Sequence, residues 1–128
     1  MNPVVHFELP CDDRERIARF YESAFDWTCQ RLGPEMGNYV LATTAEQDAK
    51  ADAPRGAING GFFQRDASKP AQMPGIVIGV RDIRDAMRRV ESAGGQVLGE
   101  PMDIPGVGAY VAFLDTEGNR GSLLQPQG

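Results

Sequence analysis

His6 is the chain's single histidine, and Glu8 follows it in an extended-looking stretch, Pro-Val-Val-His-Phe-Glu-Leu over residues 3 to 9. Side chains alternate along a strand, so Val4, His6 and Glu8 share one face while Val5, Phe7 and Leu9 share the other. An imidazole beside a carboxylate is an oriented acid/base dyad, because the negative charge favours the protonated ring. His6 and Glu8 are therefore the candidate catalytic residues. A metal site would have no second imidazole to draw on and would need carboxylates, of which Glu8 is the nearest on that face. The bland alternative for His6 is a buried, hydrogen-bonded structural histidine. Cys11, placed just before a helix, invites two readings: a thiol activated by helix-terminal amides, or a small buried apolar residue.

The aromatic residues Trp27, Phe62, Phe63, Tyr110 and Phe113 fall on strand-like segments and are able to line a cup for a planar ligand. Alternation sends Phe62 and Phe63 to opposite faces, so about half of the set belongs to ordinary core. Trp27, Phe62, Tyr110 and Phe113, with the neutral polar groups of Asn59 and Ser122, are the candidate ligand-binding residues. Pro105-Gly106-Val107-Gly108 reads as a flap over such a cup or as a plain turn.

These residues have to be positioned by a chain of 128 residues, a length that makes one domain and one core the expectation. Strands are expected over residues 3 to 9, 27 to 32, 38 to 44 and 57 to 64. Between the first two, Ile17, Phe20, Tyr21, Ala24 and Phe25 mark an apolar helical stripe over Asp12 to Phe25, with Asp12 and Glu15 as a capping box. Gly60 and Gly61 suggest a bulge or a close approach to the backbone. Residues 45 to 56 read as a loop and 65 to 74 as a linker. The order then repeats: a strand over 75 to 80, a helix over Asp82 to Ala93 with Ile83, Ala86, Met87 and Val90 on one face, and strands over 96 to 99, 109 to 114 and 120 to 125. Setting Asp82 over Asp13, an offset of 69, also sets Gly75 over His6. The fold expected is α+β, two βαβββ modules forming a curved, cup-like mixed β-sheet with helices on the outer face. Module one spans about residues 1–64 and module two about 75–128.

The net charge of −5 argues against nucleic acid or an anionic membrane as partner, and the apolar stretches are only strand-length, too short to span a bilayer. A small molecule is the partner expected. No basic region leads into an apolar one after Met1, and two dispersed cysteines, Cys11 and Cys29, suit a reducing compartment, so a cytoplasmic location is expected.

The stretches Val4-Val5-His6-Phe7-Glu8-Leu9-Pro10 and Arg19-Phe20-Tyr21-Glu22, with Gly94-Gly95, Glu100 to Gly108, Asp115-Thr116-Glu117-Gly118-Asn119 and Gln125-Pro126, carry a resemblance over almost the whole chain. The sequence resembles the vicinal oxygen chelate superfamily, the glyoxalase, bleomycin-resistance and extradiol-dioxygenase group, and most closely its bacterial glyoxalase-like branch. The resemblance implies paired βαβββ modules and, in members with metal chemistry, a divalent ion held by ligands on the first and last strands of each module. Only His6 matches that pattern. Its counterpart is Gly75, and the last-strand positions fall at Asn59 or Gly60 and at Ser122, which offer no side chain or weak neutral oxygens. The expectation is thus a small apolar or aromatic ligand bound without a metal cofactor. The alternative is a lyase, isomerase or dioxygenase using a divalent metal or the His6 and Glu8 pair. A homodimer is expected, since half-cups in this family are commonly completed by pairing and open sheet edges gain from cover.

Overall fold

The computed structural model describes residues 1–45, 57–69 and 72–127. They form two compact units, one of residues 6–74 and the other of residues 1–5 with 75–128. In the first, β1 (Val4–Cys11) leads into α1 (Arg14–Phe25), then β2 (Thr28–Arg31), a 3-10 turn at Pro34–Met36, β3 (Val40–Thr43) and β4 (Gly60–Gln64). The strand order is β2-β3-β4-β1, with β4 parallel to β1 and the other pairs antiparallel. The second repeats the path with β5 (Gly75–Gly79), α2 (Ile83–Ser92), β6 (Gln96–Ile104), β7 (Gly108–Leu114) and β8 (Arg120–Pro126). Its order is β5-β8-β7-β6, again with only the first and last strands parallel. This is the α+β fold of two βαβββ modules. Among the described residues no helix is long and apolar enough to cross a membrane.

Each helix starts on an aspartate in the same extended conformation, Asp13 at φ −135° and Asp82 at φ −134°. The expected cap at Asp12 is corrected by one residue. Asp13 Oδ1 accepts from the backbone N–H groups of Glu15 and Arg16, both at 3.0 Å, satisfying donors that the first turn cannot pair internally. Asp12 instead bonds Arg65 at 2.6 Å, because β1 stays paired through Cys11, whose carbonyl accepts from Arg65 N–H at 2.7 Å.

The stripe on α1 is rotated as well. Ala18 is fully buried, with Ile17 and Tyr21 packed beside it, whereas Phe20 and Phe25 remain 57% and 59% exposed. The helix meets the strands along the Ile17, Ala18 and Tyr21 line, whose small central residue allows close approach, so the larger aromatic rings sit at its flank. On α2 the face is the expected one: Ile83 and Ala86 are buried, and Met87 and Val90 pack against the same core.

β6 runs to Ile104, five residues past the expected end at Gly99. Its register against β7 skips between Leu98 and Met102, and Gly99 takes φ 94°, so Pro101 lies in a bulge that leaves the ladder intact on either side. The Pro105 to Gly108 segment is a tight turn between β6 and β7, with Val107 N–H on Ile104 O at 2.9 Å and Gly106 at φ 76°. Beyond Ala45, the loop expected over 45–56 lies outside the described residues.

Candidate functional site

Alternation along β1 divides its residues as the pattern requires. Phe7 and Leu9 pack with Ala18, Val40 and Phe62 in the core under α1. His6 and Glu8 project from the other face, where both meet one hydroxyl. His6 Nε2 lies 2.9 Å from Tyr39 Oη, and Tyr39 Oη lies 3.3 Å from Glu8 Oε2. Tyr39 O–H donates to Glu8, and the donor and acceptor roles in its contact with His6 Nε2 follow the ring tautomer.

Tyr39 is held from several directions. Its N–H bonds Met36 O at 3.2 Å and its carbonyl accepts from Leu32 N–H at 2.8 Å, both consequences of the Pro34–Met36 turn. Its ring lies over Gly61, where a Cβ would collide with the phenol. Gly60, opposite Phe7 on β1, is covered on the other face by the Phe7 ring. The two glycines thus admit one aromatic ring on each face of β4, which is the close approach they suggested. Burial holds the His6 imidazole below its ordinary pKa; Glu8 pulls the other way and is the weaker influence. The ring is neutral at pH 7.

The remaining candidates are distributed differently. Trp27 stacks on Tyr21 with centroids 4.5 Å apart and belongs to the core, as does Phe62, which is 0% exposed. Both lie on the helix side of the strands, away from His6, because Phe62 alternates with Gly61 and Phe63. Asn59 is exposed and closes a loop, its Oδ1 accepting from the N–H groups of Thr44 at 2.7 Å and Ala45 at 3.1 Å. In the second unit Tyr110 Oη and Ser122 Oγ are 2.6 Å apart, with Ser122 buried, while Phe113 packs into the core over Gly121. His6 and Glu8 are thus brought together within one unit, and Tyr110 and Ser122 within the other. Tyr39 escaped the sequence reading; the Gly60-Gly61 pair was its one local signal. Burial pushes the thiols of Cys11 and Cys29 up, with Asp12 adding to the effect at Cys11, so the activated-thiol reading is set aside.

The profile of the Glyoxalase/Bleomycin resistance protein/Dioxygenase superfamily matches residues 4–122. The chain belongs to this superfamily. It is 35% identical over 120 residues to the anthracycline biosynthesis protein DnrV of Streptomyces peucetius, a match covering 88% of this chain and 42% of that protein. The chain therefore spans less than half the length of that relative. It is also 27% identical to a glyoxylase-like domain-containing protein of Didymella fabae, over 94% of this chain and 91% of the relative. Solved structures with the same fold include methylmalonyl-CoA epimerase from Mycobacterium tuberculosis, with TM-score 0.68, 15% identity and coverage of 98% and 88% of the two chains. A hypothetical protein from Bacillus halodurans superposes with TM-score 0.69, 14% identity and coverage of 99% and 96%.

Superfamily members often hold a divalent ion, and the described residues do not gather a donor set that fits one. Among the described residues no three His, Cys, Asp or Glu side chains come together. The Nε2 of the single imidazole already serves Tyr39, Gly75 has no side chain, and Ser122 shares its hydroxyl with Tyr110. One imidazole, the Glu8 carboxylate and neutral hydroxyl oxygens fall short of the several carboxylates, imidazoles or thiolates that a divalent ion favours.

Proposed function

We propose that this glyoxalase-superfamily chain binds a small, largely apolar aromatic molecule and anchors it through the His6–Tyr39–Glu8 hydrogen-bond chain, without a divalent metal. The observation that carries the reading is the shared Tyr39 hydroxyl, which contacts the one imidazole and donates to the Glu8 carboxylate. Such a site pairs a few fixed polar groups with apolar surroundings. Leu41, placed by register across from Gly61 and exposed, supplies apolar surface on the same face as Tyr39. Kinship with a protein named for anthracycline biosynthesis supports a fused-ring aromatic ligand as the first class to try.

A neutral, oriented imidazole also supports a proton-transfer reading, as in an isomerase or lyase. His6 Nδ1 would take a proton from an acidic position of the ligand, and the charge formed on the ring would be stabilised through Tyr39 by Glu8. The assembly proposed is a homodimer; light scattering at micromolar concentration should give twice the chain mass, and a single-chain mass contradicts it.

Calorimetric titration with 2-naphthol, with and without EDTA, tests the binding reading. Saturable binding that EDTA leaves unchanged and His6→Ala weakens about tenfold, the scale of one strong polar contact, is expected. Absence of saturable binding, or binding that needs added Zn2+ or Ni2+ and disappears with chelator, overturns it.

A further inference from the structure

Glu22 on α1 and Glu91 on α2 stand 69 positions apart, the offset that also relates the helix caps Asp13 and Asp82. Both lie in the last turn of their helix. A carboxylate there faces the negative end of the helix dipole, so neither helix gains stability from it. What the two residues share is a bond to the strand that follows. Glu91 Oε1 accepts from Val97 N–H at 2.8 Å. The Glu22 carboxyl, held below the usual carboxylate range first by Arg31, also takes a hydrogen bond from the backbone N–H of Cys29.

Cys29 and Val97 lie on the terminal strands of their modules. Among the described residues β2 pairs only with β3, and β6 only with β7. A strand paired on one side turns the N–H and C=O of alternate residues outward, and such a row is a template for a strand of another chain. At Cys29 the carbonyl is occupied as well, accepting from Arg31 Nη1 at 3.2 Å, and Arg31 is itself fixed between Glu15 and Glu22. β2 has four residues, so closing Cys29 leaves no run of open groups along it. β6 has nine, and two further features interrupt its edge. Its register skips between Leu98 and Met102, with Gly99 at φ 94°, and Pro101 has no N–H to offer.

We propose that Glu22 and Glu91 are edge-closing residues, each occupying outward backbone on the terminal strand of its module and so keeping an extended strand of a second copy from adding to it. Edge closure is a property of the single chain and rests on neither the ligand nor the homodimer proposed above.

Amide hydrogen exchange and sedimentation of three proteins, the wild type, Glu91→Ala and Glu91→Gln, test it. Alanine removes the acceptor and keeps a strong helix former, whereas the glutamine amide oxygen accepts the same bond. In dilute solution the Val97 amide should exchange about tenfold or more faster in Glu91→Ala than in the wild type, with the Leu123 amide of the core strand β8 unchanged and Val97 protected in Glu91→Gln. From micromolar to millimolar concentration Glu91→Ala should assemble beyond the wild-type mass and regain protection at Val97, and Glu91→Gln should not. The Cys29 amide should lose protection in Glu22→Ala in the same way. Val97 exchanging as fast in the wild type as in Glu91→Ala, an equal acceleration at Leu123, or a Glu91→Ala mass equal to that of the wild type throughout overturns the proposal. So does assembly of Glu91→Gln to the same extent as Glu91→Ala, or a Cys29 amide as protected in Glu22→Ala as in the wild type. If Glu91→Ala does not fold, exchange in the other two proteins decides: an unprotected Val97 amide in either overturns edge closure, and protection in both supports it.

Discussion

The two modules repeat one chain path, yet the faces they turn away from their helices carry different chemistry. Both place a parallel pair between first and last strand and begin their helix on an aspartate cap at equivalent positions. Both seat an aromatic ring on a glycine of the last strand, Phe7 on Gly60 and Phe113 on Gly121. On the face away from its helix, module one carries an imidazole, a phenol and a carboxylate linked by hydrogen bonds, whereas in module two a hydrogen bond joins the neutral Tyr110 and Ser122 hydroxyls. Helix-side positions are constrained by packing in both copies, and the open faces are where the copies have diverged. Of the two faces, only that of module one carries an imidazole, since His6 is the single histidine.

Comparison of the cores gives the largest expected effect. Phe62→Ala should cost about 3–5 kcal/mol and Leu123→Ala about 2–5 kcal/mol, read by urea denaturation, because both side chains lie under a helix. A negligible cost for Phe62→Ala combined with lost 2-naphthol binding would move Phe62 from the core to the ligand. Next in size is Gly61→Val, expected to cost about 1–3 kcal/mol by overpacking and to displace Tyr39, whereas Gly121→Ala should disturb the Phe113 packing and leave the His6 nitrogen shifts unmoved.

The caps offer a finer test. Asp13 serves two backbone N–H groups and Asp82 one, so Asp13→Ala should lower Tm more than Asp82→Ala, with Asp12→Ala lowering it least of the three. The smallest effect is a pH dependence peculiar to module one. His6 has a folded-state pKa below its ordinary 6.5, so the unfolded chain binds the proton more readily. The stability gained by keeping the ring neutral is full above about pH 6.5 and is lost as the pH falls through that value toward the folded-state pKa. Denaturation midpoints at a series of pH values should fall across this window in the wild type and fall less in His6→Asn; an equal slope in both removes the buried-imidazole account.

Much of this organisation was legible in the sequence, since strand alternation and helical periodicity are local signals. The second helix, with Asp82 as cap and Ile83, Ala86, Met87 and Val90 inward, could be read residue by residue. The first could not, because Asp12 and Asp13 are equivalent as letters and only the end of β1 pairing at Cys11 selects between them. β6 looked finished at Gly99 because a Gly and a Pro within three residues imitate a strand end, and a bulge absorbs both. At the site, alternation put His6 and Glu8 on one face, but their common partner Tyr39 lies 33 positions from His6 in the chain and is brought there by β3–β4–β1 pairing. Trp27 and Phe62 had the composition of a ligand wall, and which face of a strand meets the helix is decided by tertiary packing.

Intermolecular nuclear Overhauser effects in the complex with 2-naphthol locate the bound ring, because the lone imidazole has isolated proton resonances. Contacts are expected from naphthol ring protons to the His6 Hε1, adjacent to Nδ1, and to the Tyr39 ring, with none to the Trp27 indole or the Phe62 ring. Contacts to Trp27 and Phe62 with none to His6 would contradict it and put the ligand on the helix side of module one.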